Sequence, residues 1–128
     1  MNSGLISDEA KCRLFIDENT GWQNILHAQA IEIPLLLASA VHTQDYEGEK
    51  NQESELCKQL VLQHSKMKKL NEDIEVQQKR LANDCATKSE YDMDAFCTQD
   101  ILRDRIKEIE KAYFELKCNF LNHVATIS

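Results

Sequence analysis

The sequence predicts an all-α fold, a helical bundle or a long helical hairpin carrying coiled-coil heptads. Three observations point there. The 128 residues include only three Gly and one Pro, so the turn residues that punctuate strands are scarce. Two stretches carry apolar residues at alternating steps of three and four. Aromatic residues make up only 6%, which restricts the core that an isolated small domain can build. Length alone predicts one domain, or one subunit of something larger.

The elements follow in chain order. Residues 4–18 form a short apolar-periodic segment on Leu5, Ile6, Ala10, Leu14 and Phe15. Ser7 is its N-cap candidate, and Asp8 and Glu9 fall in the first turn, where the helix dipole favours acids. The polar run Asp17-Glu18-Asn19-Thr20-Gly21 is expected to break this helix, with Gly21 in the C′ position. Residues 22–44 repeat Trp22, Ile25, Leu26, Ile33, Leu36, Leu37, Ala40 and Val41, a second amphipathic helix with a broad apolar side. Pro34 lies inside it. A proline there removes an amide donor and crowds the preceding turn, so a kink or a helix restart is expected. Residues 45–53 have no apolar period and read as an exposed linker. This divides the chain into 1–52, an acidic pair of short helices kinked near Pro34, and 53–128, a coiled-coil hairpin.

The heptad seams dominate the second part. The first runs Leu56, Leu60, Gln63, Met67, Leu70, Ile74, Gln77 and Leu81. The second runs Leu102, Ile106, Ile109, Tyr113, Leu116, Phe120, His123 and Ile127. Glu75–Lys79 and Asp100–Arg103 are oppositely charged pairs at helical spacing beside them. Between the seams, Thr87 to Asp94 holds polar capping residues without Gly or Pro. It serves either as a hairpin turn or as helix joining both seams into one rod; the matched arm lengths favour the hairpin. Gln63 and Gln77 interrupt the first seam, either as polar layers that fix register or as a weakly packed, wet side. His123 on the second seam reads as a tolerated polar layer, with a pH-sensitive contact as the sharper alternative.

Charge and chemistry narrow the function. The net charge is −7, and residues 1–52 hold three bases (Lys11, Arg13, Lys50) against eight acids. That balance does not suit a duplex-binding surface, which needs clustered cations, so direct nucleic-acid binding is not expected. The first residues lack a basic segment followed by an apolar run, and the longest strongly apolar stretch, Ile33 to Val41, falls far short of a membrane span. A cytoplasmic or nuclear location, in a reducing compartment, is therefore expected. The five cysteines (Cys12, Cys57, Cys85, Cys97, Cys118) form no C-x-x-C and are expected to be reduced. Cys118 and His123 are too poorly spaced for a shared metal site, and His64 has only Cys57, two turns away. No nucleophile elbow, phosphate loop or zinc-protease motif occurs, so no enzyme activity and no cofactor are expected.

The two heptad runs and the N-terminal helical pair together resemble the small coiled-coil subunits of eukaryotic assemblies, of the augmin, kinetochore, intraflagellar-transport and vesicle-tethering kind. The resemblance implies a structural interaction subunit, with cytoskeletal, centrosomal or kinetochore association. Its partners would be other coiled-coil chains or further copies of itself. The candidate contact residues are Trp22, Leu26, Leu36, Leu56, Leu60, Met67, Leu70, Ile74, Leu81, Leu102, Ile106, Ile109, Tyr113, Leu116 and Phe120. The competing expectation is a regulatory adaptor that holds a partner helix in a groove lined by Trp22 to Val41. That segment must be covered either by the hairpin or by another chain, since soluble proteins seldom leave such patches open.

Overall fold

A computed structural model describes residues 7–40, 47–87 and 93–127, with the side chains of 40, 47–53, 87, 126 and 127 left aside. Three helices account for nearly all of this: α1 (Asp8–Ala40), α2 (Glu47–Thr87) and α3 (Met93–Ile127). At 1.5 Å per residue they are rods of roughly 50, 60 and 50 Å. Successive helices run antiparallel. On α1 and α2, Cys12 meets Cys85 and Asn19 meets Gln78. On α2 and α3, Gln77 meets Gln99 and Gln63 meets Ile109. α1 and α3 are therefore parallel, and their contacts keep a near-constant offset of 80 to 85 residues. The chain is an up-down-up three-helix bundle, and the 87–94 alternatives resolve to a hairpin: α2 ends at Thr87 and α3 starts at Met93 and packs back on it.

α1 starts as its sequence dictates. Ser7 Oγ accepts a hydrogen bond from the Ala10 amide at 3.1 Å, and the Lys11 amide bonds the Ser7 carbonyl. One expectation for α1 is corrected: the helix does not break at Asp17–Gly21. Of the two alternatives at Pro34 the restart is not the one present; α1 is one helix of 33 residues with Pro34 inside it. Gly21 takes an ordinary helical place, and a Cβ there would meet nothing within 4 Å. Thr20 turns its hydroxyl onto the Ile16 carbonyl at 3.0 Å, one turn back, which keeps it compatible with the helix. Pro34 is on the exposed side, so its ring displaces no core contact. The expected linker 45–53 is also corrected over 47–53, where α2 has already begun.

Two apolar clusters fill the bundle. The larger joins Leu26, Ile33 and Leu36 of α1 to the α2 seam from Leu56 to Ile74 and the α3 seam from Leu102 to Phe120. The smaller, at the other end, gathers Cys12, Leu81, Ala95 and Phe96, with Phe15, Ile16 and Cys85 against them. Phe15 and Phe96 meet edge to face, centroids 5.5 Å apart.

The sulfurs of Cys12 and Cys85 are brought together as a disulfide pair, a juxtaposition that the cysteine spacing does not reveal. The reason is tertiary. The two residues are 73 apart in sequence, and only the antiparallel pairing of α1 with α2 brings their Cα atoms to 6.4 Å.

Candidate interaction site

The fifteen candidate contact residues all pack within this chain. Leu26 and Leu36, the five α2 residues from Leu56 to Ile74, and Leu102, Ile106, Tyr113, Leu116 and Phe120 belong to the larger cluster. Trp22 and Ile109 are half-buried against it, and Leu81 belongs to the smaller cluster. The structure thus brings the two heptad seams and the Trp22–Leu37 side together, each covering the others; Val41 lies outside the described residues. Of the two covers considered for that segment, the hairpin is the one present.

Between the clusters lies a polar layer that joins all three helices. Asn19 and Gln99 exchange two amide hydrogen bonds, Asn19 Nδ2 donating to Gln99 Oε1 at 3.1 Å and Gln99 Nε2 donating to Asn19 Oδ1 at 2.8 Å. Gln77 Nε2 donates to the same Gln99 oxygen and to the Ala95 carbonyl. Gln78 accepts from Asn19 and donates to the Ile16 carbonyl. Asn19, Gln77 and Gln99 are all essentially inaccessible to solvent, and Gln77 Oε1 has no hydrogen-bond partner among the described residues. Gln63, also buried, donates to the Ile109 carbonyl at 3.0 Å. Of the two alternatives for the seam glutamines, the wet side is excluded. The layer's α1 members, Glu18 and Asn19, come from the run expected to break the helix.

At the layer's margin, Arg103 holds Glu18 with two bonds of 2.7 and 2.9 Å and also binds Asp100. Its guanidinium lies about 6 Å from the ring centres of Phe15 and Trp22. Burial alone would raise the Glu18 carboxyl. The hydrogen bonds from Arg103 and Gln99, with the charges of Arg103 and Lys107, outweigh it and hold the carboxyl below its ordinary range. Glu32 is held down in the same sense by Lys117 at 2.6 Å and by the Tyr113 hydroxyl. Burial, with Glu32 beside it, pushes the Tyr113 phenol up.

The surfaces left for contact lie outside the seams. On α1, Ile25, Ala28, Glu32 and Leu35 form a stripe stepping by three and four. Across from it on α3 stand Phe114 and Lys117, with Leu121 one turn further along α3. Leu35 is 67% and Phe114 66% exposed, high for side chains of that size. An open groove of about 410 Å³ runs between them, lined by Gln29, Glu32, Tyr113, Phe114 and Lys117 among others. Gln29 Oε1 is inaccessible to solvent there and has no hydrogen-bond partner among the described residues. Sequence reading placed Ile25 on the apolar side of its helix and missed the rest of the stripe, because Leu35, Phe114 and Leu121 are too few to compete with the seams. The discriminating signal was that they are apolar residues off-phase from the seams.

Among the described residues, no group of three or more His, Cys, Asp or Glu is placed to hold a metal ion, and no helix is long and apolar enough to cross a membrane. No protein-family model, no curated protein and no solved structure matches the chain.

Proposed function

We propose that the protein is a non-enzymatic structural interaction subunit, working in the cytoplasm or nucleus, that contributes a pre-formed three-helix bundle to a larger assembly of helical proteins. The observation that carries this reading is the distribution of apolar surface. The seams are consumed inside the chain, yet large apolar side chains remain exposed on all three helices: Leu35 on α1, Leu62 and Val76 on α2, Ile101 and Phe114 on α3. Single exposed apolar residues are common, but a stripe facing a groove is the kind of feature that marks contact with another chain. The expected assemblies are those of the cytoskeleton, centrosome or kinetochore, and direct contact with nucleic acid is no part of the role.

The test is stoichiometric reconstitution with a co-purified partner. Phe114→Asp and Leu35→Asp should abolish partner binding while leaving helicity and thermal midpoint unchanged. A partner that binds these variants as well as wild type would overturn the reading.

A second reading, the adaptor that holds one partner helix, is favoured by the α1–α3 groove. Tyr113 and Phe114 offer it an apolar wall, and the buried Gln29 oxygen lacks a donor. In that case Gln29→Leu weakens binding of a single helical peptide. In the subunit reading it does not, because the contact extends beyond the groove.

A further inference from the structure

We propose that Cys12 and Cys85 form a thiol–disulfide exchange site that reacts with small, carboxylate-bearing disulfides of the glutathione class and, when closed, clasps the start of α1 to the end of α2. The inference rests on the fold and not on the reading of the outer surface.

The two sulfurs are placed differently. Cys12 is fully buried, in the cluster of Leu81, Ala95 and Phe96. Cys85 is half-buried and lines an open groove of about 580 Å³ between α1 and α2, beside Arg13 and Asp17. A reagent from solvent therefore reaches Cys85 and not Cys12. Arg13 supplies a cation at the groove, although it also pairs with Glu9 at 3.2 Å. The Arg13 guanidinium in the groove offers a counter-ion to a carboxylate-bearing reagent. The fold also accommodates the open state. Cys12 Sγ lies 3.0 Å from the Leu81 carbonyl oxygen, so the reduced thiol has an acceptor waiting and is not left as a buried orphan. The Cα separation of 6.4 Å lies within the range that a disulfide spans without backbone movement. Opening and closing need no rearrangement of the helices.

The chemistry balances in two steps. The Cys85 thiol gives its proton to solvent, and its thiolate attacks one sulfur of the small disulfide. That S–S bond breaks, one small thiolate leaves and takes up a proton, and Cys85 carries a mixed disulfide. Cys12 then loses its proton and attacks Cys85 Sγ, expelling the second small thiolate, which is protonated in turn. The protein has lost two hydrogens and the small disulfide has become two thiols. Excess small thiol reverses both steps. A reducing compartment keeps the pair open, and an oxidising shift closes it.

The test uses the full chain, reduced and freed of reductant, then treated with oxidised glutathione and mapped by mass spectrometry without reduction. Wild type should accumulate a 12–85 link, its free thiols, counted after denaturation, falling from five to three. Cys12→Ser should retain one glutathionyl group on Cys85, and Cys85→Ser should leave Cys12 unmodified. Closure should raise the thermal midpoint of wild type by about 5 °C or more, and of neither variant. In reduced wild type, which needs no substitution to fold, iodoacetamide should alkylate Cys85 at least about tenfold faster than Cys12. Modification of Cys97 without a 12–85 link, or equal alkylation of Cys12 and Cys85, would overturn the proposal.

Discussion

Asn19 and Gln99 are buried amides that satisfy one another, and Gln77 donates into the same pair. Replacing Gln99 with Leu takes away the donor to Asn19 Oδ1 and one acceptor each from Asn19 and Gln77, which keep only Gln78 and the Ala95 carbonyl, at a cost of about 1–3 kcal/mol. Asn19→Leu alone should cost a similar amount. The double substitution should cost clearly less than the two together, because each single change leaves the other's partner unpaired. Chemical denaturation of the four proteins measures this, and strict additivity would show that the pair does not interact. Gly21 offers the opposite case. It sits inside α1 with open space where a Cβ would go. Gly21→Ala should stabilise by about 0.5–1 kcal/mol, chiefly by restricting the unfolded chain. A destabilised variant would mean that α1 is interrupted there after all.

Glu18 and Glu32, like Asp73 beside Arg105, contribute to the response to acid. Both carboxyls are held below the ordinary value of 4.5 in the folded chain. A depressed acid stabilises the fold fully above its unfolded value and loses that contribution as the pH falls through its folded value. The thermal midpoint should therefore drop as the pH is lowered below 4.5. Glu18→Gln with Glu32→Gln should flatten that part of the profile, and an unchanged slope would refute the role of these pairs. The sequence shows why such residues are hard to read. Glu18 and Asn19 look like helix breakers because apolar periodicity is blind to polar side chains that pair across helices.

At the scale of elements, α2 and α3 were legible because each presents a single apolar stripe to one core, and the stripe keeps its phase from Leu56 to Leu81 and from Leu102 to Phe120. α1 was legible in its content but not in its continuity. Its residues meet an apolar cluster at either end and a polar layer between, so its pattern changes midway while the backbone does not. The start of α2 at Glu47 left no apolar signal at all. The disulfide was illegible for a different reason: a spacing of 73 residues means nothing until the direction of α1 against α2 is known. The role of α1 yields a prediction. Leu26 and Leu70 belong to one buried cluster, so Leu26→Asp should destabilise as severely as Leu70→Asp, by more than about 3 kcal/mol. Lys68→Ala and Lys107→Ala, on exposed positions, should stay within about 0.5 kcal/mol. If Leu26→Asp is tolerated while Leu70→Asp is not, α1 is not part of the core.

The whole molecule is best described as a hairpin completed by a third helix from its own chain. An isolated two-helix hairpin buries one narrow stripe per helix and gains little stability from it. Here α1 lies along both α2 and α3, and the three share one core with a polar layer that meets only in this register. The heptads that suggest association between chains are thereby spent within one, which leaves only the outer faces open to further contacts. The direct test is thermal unfolding of the isolated full-length chain, followed by circular dichroism over about a hundredfold range of concentration. A bundle closed within one chain unfolds cooperatively at a midpoint independent of concentration, even if its outer face associates weakly. A midpoint that climbs with concentration, with helicity lost on dilution, would show that the seams are filled by another chain and would contradict this account.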